Sequence, residues 1–451
     1  MGLDVRFRWV IILVSKGQEA RRLALEILEE VFVGGAYSNI ALDKALKHSP
    51  LSAKDKALVT EIVYGSVSRK LTLEWYLAHY IKDRNNIETW VYYLLMMSLY
   101  QMLYLDKIPN HAIVYEAVAI AKERSLQTGA YRYVNALLRR LTSEELPDID
   151  SIKRHNKRLS IRYSTPVWLV KELIDTYGEK RAVAILESLF VRNKASLRVS
   201  PDSDKEQLKQ DLRLSDSLLA KSALVSSSGH FSDTRYFREG QITIQDESSQ
   251  LVAPTLALKG DEIVLDACSA PGGKTTHIAS YLSSGHVVAL DLYDHKLQLI
   301  KDNAKRLHLE DKIQTKKLDA TKVVEVFGKD AFDKALVDAP CSGFGLIRRK
   351  PDIKYNKANQ DMASLAAIQL QILDNVCQTI RKGGIITYST CTIFERENRQ
   401  VIEQFLKEHP NFTQVKLTHD CPDIVTDGYI TITPEQYGTD GFFIAQVRRE
   451  A

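Results

Sequence analysis

Apolar positions recur at helical spacing throughout residues 18–145. In the stretch 19–33, for example, Ala20, Leu23, Ile27, Leu28 and Val31 fall on one face of a helix, and Gly34-Gly35 follows. The same pattern predicts further helices over 39–46, 54–80, 88–104, 113–124 and 131–141. Strand-like alternation is absent from this segment, so the pattern predicts an all-helical bundle with its own core.

The next segment, residues 146–240, has a mixed pattern. A polar connection over 146–165 leads into helical patterns at 166–177, 182–190 and 205–212, while the alternation at 196–200 is typical of a strand. We therefore predict a linker followed by a small α+β module.

From residue 241 onward, short apolar runs alternate with helical patterns. The predicted strands are 262–265, 286–290, 312–318, 334–337 and 384–388, and the helices between them include 275–282, 296–307 and 362–380. This alternation predicts a parallel, doubly wound α/β sheet over residues 241–451. Two later runs, 429–433 and 441–447, predict a closing antiparallel pair.

The composition of the 451-residue chain, 45% hydrophobic and 26% charged, is that of a globular protein and excludes a disordered chain or a disulfide scaffold. The apolar run from Trp9 to Val14 is far shorter than the ~20 residues of a membrane span, and no signal-peptide cleavage site follows it. We interpret residues 1–17 as a tail, and we expect a cytoplasmic monomer whose five cysteines are reduced thiols.

Positive charge is concentrated in the middle of the chain. Residues 151–240 carry a net charge of +6, whereas 241–451 carry −3, and the whole chain carries +4. The segment could bind phosphate groups, with Lys153–Arg158 and, further along the chain, Arg348-Arg349-Lys350 as candidate contacts. A solvated charged face is an equally good interpretation of these residues.

Acidic residues follow the predicted parallel strands, at the sheet edge where such folds bind ligands. The first strand leads into Asp266–Lys274, DACSAPGGK, a glycine loop that opens a helix but has neither Walker nor dinucleotide spacing. The next three strands lead to Asp291, Asp319 and Asp338. Any one of these could merely cap a helix. Together they favour one extended ligand, and S-adenosylmethionine fits, with its carboxylate near the loop, its ribose at Asp291 and its adenine at Asp319.

Cysteines follow the fourth and fifth strands, Cys341 in Asp338–Gly343 and Cys391 in Ser389–Glu397. Both could be ordinary buried thiols, whereas a zinc pair lacks a nearby CxxC or histidine set. Thiols beside a methyl donor suit pyrimidine C5 methylation, in which a thiolate adds to C6 and activates C5. Asp338, hydrogen-bonded to the N3 and N4 edge of the base, could stabilise the charge that develops on the pyrimidine ring. Cys341, Asp338 or a water could remove the C5 proton.

The motifs DACSAPGGK, DAPCSG with the following Arg348–Asp352, and STCTIFERE with Asn398 resemble those of RNA 5-methylcytosine methyltransferases. The resemblance implies a Rossmann-like methyltransferase domain in which Cys391 is the nucleophile and Cys341 assists product release, with Asp338 beside them. It also implies contacts to S-adenosylmethionine from Cys268, Ser269, Ala270, Pro271, Gly272, Gly273, Lys274, Asp291, Asp319 and Asp338.

The helical residues 18–145 resemble the RNA-binding antitermination factor NusB. The implied organisation is a NusB-like domain over 18–145, a linker and RNA-binding module over 146–240, and a catalytic domain over 241–451. The implied substrate is 16S ribosomal RNA, with no metal and no membrane involved. Transfer RNA or another ribosomal site is the alternative substrate, and an RNA-binding regulator without activity is the alternative from another class.

Overall fold

The structure is a computed structural model that describes residues 16–125, 129–356 and 358–450. The described residues form two compact units. The first contains the chain up to Val170 together with Lys350–Asp352, and the second contains Lys171–Arg349 and the chain from Ile353 onward. Residues 1–15 of the predicted tail lie outside the described residues, whereas residues 16 and 17 begin the first helix.

The first unit is helical, as the apolar spacing predicts. Its helices are α1 (Lys16–Phe32), α2 (Ser38–Lys47), α3 (Ala53–Ser68), α4 (Lys70–Tyr80), α5 (Thr89–Tyr104), α6 (Asn110–Arg124), α7 (Ala130–Ser143) and α8 (His155–Arg162), and α9 (Val167–Tyr177) contains the boundary between the units. Helix α5 is buried on all sides from Val91 to Gln101, so it forms the centre of the bundle.

The single helix predicted over 54–80 is wrong, because the structure divides it into α3 and α4 at Arg69. The periodic pattern continues across the break and gives no sign of it. The backbone N–H of Leu71 donates to Ser164 Oγ at 2.8 Å, a partner that is distant in sequence. A tertiary contact therefore accompanies the break.

The second unit contains a small antiparallel sheet and a large mixed sheet. The small sheet has the order β2-β3-β1-β4, from β1 (Ala195–Val199), β2 (Ser215–Asp216), β3 (Ala223–Ser226) and β4 (Ile242–Ile244). Apolar side chains such as Leu197, Leu208 and Ile242 form its core. The accompanying helices are α10 (Glu179–Ser188), α11 (Lys205–Asp211) and α12 (Arg235–Arg238).

The large sheet follows the order β11-β12-β13-β9-β8-β5-β6-β7, with β10 paired to β13. Strands β5 to β9 are parallel, and β13 adds antiparallel to β9. The predicted closing pair is confirmed as β12 and β13. The strands are β5 (Ile263–Asp266), β6 (His286–Asp291), β7 (Ile313–Lys317), β8 (Phe332–Asp338), β9 (Ile380–Thr390), β10 (Phe412–Gln414), β11 (Val425–Thr426), β12 (Tyr429–Ile432) and β13 (Phe442–Arg449).

Helices connect these strands, and two apolar cores hold the layers together. The helices are α13 (Glu247–Gln250), α14 (Val252–Thr255), α15 (Gly273–Ala279), α16 (Asp294–Arg306), α17 (Val323–Phe327), α18 (Ile353–Asn356), α19 (Asn359–Thr379) and α20 (Arg399–Glu408). One core contains Phe332, Tyr388 and Phe405, and the other contains Val264, Ile278 and Leu336. Among the described residues, no helix is long and apolar enough to cross a membrane.

The strand order identifies the place where a ligand would bind. From β5 the chain moves outward to β6 and β7 and then returns to the other side of β5 with β8 and β9. The direction of winding therefore reverses between β5 and β8. In an open parallel sheet, ligands bind beyond the carboxyl ends of the strands at such a reversal. The glycine loop after β5 and Cys341 after β8 both lie at this point.

Gly65 tests the packing of the helical unit. A Cβ atom at this position of α3 would lie 1.8 Å from the ring of Tyr100, whose hydroxyl donates to Glu61 Oε1 at 2.7 Å. Gly→Ala within a helix normally stabilises by about 1 kcal/mol. Here overpacking should reverse the sign, so Gly65→Ala should destabilise the unit by about 1–3 kcal/mol. Calorimetry of the full chain should show a lower melting temperature.

Tyr100→Leu supplies the matched background for this prediction, because it removes the ring that the new methyl group would meet. In that background Gly65→Ala should raise the melting temperature. A higher melting temperature for Gly65→Ala alone would contradict the packing described for α3 and α5.

Candidate active site

The loop between β5 and α15 has a backbone that only glycine fits well. Gly272 has a φ of 99°, and a Cβ atom there would lie 3.1 Å from Ile300 Cα. The residue therefore allows a left-handed turn and close packing against α16 at the same point. The first residues of α15, Gly273 and Lys274, follow this turn directly.

A cavity of about 170 Å³ lies at the end of β5, beside Asp338. Every loop residue predicted for cofactor binding except Gly272 lines this cavity. Its lining consists of Ile244, Gln245, Ser249, Asp266, Cys268, Ser269, Ala270, Pro271, Gly273, Lys274 and Asp338. The sequence analysis missed Ile244 of β4, Ser249 of α13 and Gln245, which lies between these two elements.

Asp291 and Asp319 are not part of the cavity lining but follow the two neighbouring strands. Each also makes a turn: Asp291 accepts from the Tyr293 N–H at 3.0 Å, and Asp319 accepts from the Thr321 N–H at 2.9 Å. Burial raises the pKa of the Cys268 thiol, and the carboxylates of all four strand-end aspartates raise it further. The charges of all four aspartates therefore act on the Cys268 thiol.

Asp266 lies deepest in this acidic group. Burial raises its pKa to about 7, and the neighbouring Asp338 adds to the increase. Thr275 Oγ1 donates to its Oδ2 at 2.7 Å, whereas no described side chain donates to its Oδ1, which is buried. A ligand with an amino group and hydroxyl groups would donate hydrogen bonds to these carboxylates. This set of carboxylate acceptors therefore fits S-adenosylmethionine.

Asp338 joins the cofactor side of the site to the strand that carries Cys391. Its Oδ2 accepts from Lys274 Nζ at 2.7 Å, and its Oδ1 accepts from Ser389 Oγ at 2.8 Å. Burial opposes the charge of Lys274, but Asp338 outweighs this effect, so the pKa of the Lys274 ammonium is raised. Lys274 and Asp338 therefore form a charged pair at the cavity wall.

The two cysteines that follow β8 and β9 lie side by side. The Sγ atoms of Cys341 and Cys391 are 3.3 Å apart, and both residues are half-buried. The hydrogen bond to Cys391 raises the pKa of the Cys341 thiol well above its usual value, and burial adds to the increase. The raised pKa therefore favours the protonated form of Cys341.

Arg198 supports the glycine loop from the small sheet, a role that the sequence analysis missed. Its Nη1 donates to Gln245 Oε1 and to the Gly273 carbonyl, both at 2.6 Å, and its Nη2 donates to Thr276 Oγ1 at 3.0 Å. Burial lowers its pKa to about 9. The alternation over 196–200 predicts the strand correctly but gives no indication of this contact.

Two of the basic residues that follow Cys341, Arg348 and Arg349, are engaged within the second unit. Arg349 donates to both carboxylate oxygens of Asp440 and to Asp246, and Arg348 donates to the Ser188 and Pro434 carbonyls. These contacts hold the loop after β8. Among the described residues, no group of three or more His, Cys, Asp or Glu side chains could hold a metal ion.

Comparisons with known proteins agree with this geometry. The family described as 16S rRNA methyltransferase RsmB/F matches residues 253–448, and the NusB family matches residues 18–143. A Bacillus subtilis (strain 168) protein named "Probable ribosomal RNA small subunit methyltransferase B" is 42% identical over 96% of this chain and 100% of its own length. A "Ribosomal RNA small subunit methyltransferase B" from Proteus mirabilis (strain HI4320) is 32% identical over 95% of this chain and 98% of its own.

Solved structures show the same fold. The crystal structure of PH0851 has a TM-score of 0.82 and 25% identity, and the match covers 96% of this chain and 98% of that one. NSun6 from Pyrococcus horikoshii with SFG has a TM-score of 0.57 and 20% identity, over 63% of this chain and 98% of that one.

The fold and the strand-end site define an S-adenosylmethionine-dependent methyltransferase with an N-terminal NusB domain. The chain belongs to the RsmB/F family of 16S rRNA methyltransferases and is an rRNA methyltransferase. The predicted enzyme class, fold class and cofactor are thereby confirmed.

Asp291 provides a test of the cofactor site. Asp291→Ala should weaken binding of S-adenosylhomocysteine about 10- to 100-fold in calorimetric titration, because a charge-assisted hydrogen bond contributes about 1.5–3 kcal/mol. Asp302→Ala is the matched control, since Asp302 is an exposed aspartate on α16, and it should leave the affinity unchanged. Equal affinities for the two variants would exclude Asp291 from the site.

Proposed function

We propose that this enzyme methylates C5 of a specific cytosine in 16S rRNA through a covalent bond between Cys391 and C6 of the base. The target that we propose is C967. The observation that carries the proposal is the pair of sulfur atoms, 3.3 Å apart, at the ends of β8 and β9. Two thiols this close are suited to a reaction that needs one group to attack and another to assist release.

The state of the pair favours Cys391 as the nucleophile. The hydrogen bond with Cys391 raises the pKa of Cys341 above its usual value, so Cys341 is the thiol that keeps its proton. A sulfur that accepts a hydrogen bond is stabilised as a thiolate, which is the form that attacks carbon. Cys391 is therefore the sulfur better prepared to add to C6.

Asp338 and Lys274 are placed to act on the ring rather than on the sulfur. Asp338 would accept from the N4 amino group of cytosine or, when protonated, donate to N3, and so hold the base edge while negative charge develops on the ring. Lys274 holds this carboxyl group in position through the 2.7 Å contact. S-adenosylmethionine, when bound beside Lys274, supplies the methyl group for C5.

Release requires that the C5 proton leaves and that the bond between sulfur and C6 breaks. Cys341 is the candidate for assisting this step, because its sulfur lies next to the one that holds the base. As the bond between the Cys391 sulfur and C6 breaks, Cys341 gives its proton to the departing sulfur, and the C5 proton replaces it on Cys341 directly or through a water. We propose Cys341 as the group on which product release depends.

The two cysteine variants should behave in opposite ways. Cys391→Ala should abolish methyl transfer to 16S rRNA because no covalent adduct can form. Cys341→Ala should accumulate an adduct between RNA and protein, because the bond forms but release is slowed. Methyl transfer from labelled cofactor and a gel shift that survives denaturant measure the two outcomes.

Cys377→Ala is the control for this pair, since Cys377 is a buried thiol of α19 that contacts His409 and lies outside the site. It should retain transfer and form no stable adduct. Methyl transfer by Cys391→Ala, or an adduct that requires Cys341, would overturn the assigned roles.

The substrate is tested separately. Bisulfite sequencing of total RNA from a deletion strain should show loss of one 5-methylcytosine in 16S rRNA, and a plasmid copy should restore it. Complementation with Cys391→Ala should not restore it. Loss of a tRNA signal with 16S rRNA unchanged would keep the chemistry and refute the proposed substrate.

A further inference from the structure

The loop that carries Cys341 and the loop that carries Cys391 both form hydrogen bonds with the same buried dipeptide, Glu397-Asn398, which directly precedes α20. Glu397 is fully buried and Asn398 is 2% exposed, although both side chains are polar. Buried polar groups are expensive unless they are hydrogen-bonded, so their partners indicate what the dipeptide does.

Glu397 holds the loop of Cys341. Its Oε1 accepts from the backbone N–H of Ser342 at 2.7 Å, and its Oε2 accepts from Ser342 Oγ. Ser342 directly follows Cys341, so the carboxylate fixes the backbone next to the thiol. Gln369 of α19 supports the same loop by donating to the Pro340 carbonyl at 2.9 Å.

Asn398 holds the loop of Cys391. Its Nδ2 donates to the Thr392 carbonyl at 3.0 Å, and its Oδ1 accepts from Thr390 Oγ1. These two threonines flank Cys391 on both sides. The side chains of Ser342 and Thr392 also meet directly, with their hydroxyl oxygens 2.9 Å apart. The hydroxyls therefore join the two loops one residue beyond each sulfur.

We propose that Glu397 is a positioning residue that holds the Cys341 loop against the Cys391 loop and so sets the separation of the two sulfur atoms. Glu397 acts through Ser342 and through the contact of Ser342 with Thr392. Its importance for methyl transfer rests on the proposed function, whereas its effect on the sulfur separation does not.

Disulfide formation measures this separation without any methyl transfer. In glutathione buffers, two protein thiols lose two protons and two electrons, and one glutathione disulfide is reduced to two glutathione thiols. The ratio of disulfide to dithiol protein at equilibrium, in a buffer of known glutathione composition, gives the effective concentration of one thiol at the other. Peptide mass mapping then assigns the disulfide to Cys341 and Cys391.

Glu397→Leu, which keeps the bulk and removes both acceptors, should lower the effective concentration about tenfold or more. Glu397→Gln, which keeps one acceptor for the Ser342 N–H, should stay within about threefold of the wild type. The kcat for methyl transfer should fall with the effective concentration, while the KM for S-adenosylmethionine stays unchanged. Glu403→Leu, at an exposed glutamate of α20 paired with Arg399, should alter none of these values.

Ser342→Ala keeps the test valid if Glu397→Leu fails to fold. It should also lower the effective concentration, and the effects of Ser342→Ala and Glu397→Leu should be less than additive in the double variant, because both changes break the bond between the Ser342 hydroxyl and Glu397. An unchanged effective concentration in Glu397→Leu, or additive effects in the double variant, would overturn the proposal. A wild-type enzyme that forms the disulfide but leaves C5 of rRNA cytosines unmethylated would refute the proposed function and not this inference.

Discussion

The parallel pairing of β8 with β9 is the constraint on which the site depends. Its register places Asp338 opposite Ser389 at the ends of the two strands. Beyond these residues the chains stay together, because the Ala339 N–H donates to the Ser389 carbonyl at 2.9 Å and the Gly345 N–H donates to the Cys391 carbonyl at 3.0 Å. A shift of one residue would turn each side chain to the other face of the sheet and separate the two sulfur atoms.

At the same edge of the sheet, the two carboxylate oxygens of Asp338 have different partners. One oxygen of this carboxylate pairs with Lys274 of the cofactor loop, and the other accepts from Ser389, two residues before Cys391. A single side chain therefore connects Lys274 of the glycine loop with the strand that leads to Cys391. Because the surroundings are buried, these charge-assisted contacts are strong and hold the carboxylate in one orientation.

Much of the fold follows from local patterns. Helical spacing predicts the bundle of the first unit, and apolar runs predict β5 to β9 together with the pair β12 and β13. The acidic residues, the glycine loop and both cysteines follow these strands, so parallel pairing alone brings them to one edge. The break between α3 and α4 escaped prediction because it coincides with a contact between Leu71 and Ser164, which local periodicity does not report.

The sequence by itself determined the chemistry available, since strand ends and the residues that follow them are local features that any parallel sheet collects at one edge. Only the tertiary structure decided how that chemistry is held. Ser342 meets Glu397 across 55 positions of the chain, and Arg198 meets the Gly273 carbonyl across 75. Such contacts depend on how the layers pack. A buried carboxylate accepts from any donor that packing brings near, and a buried guanidinium donates to any acceptor, so spacing along the chain does not specify the partner.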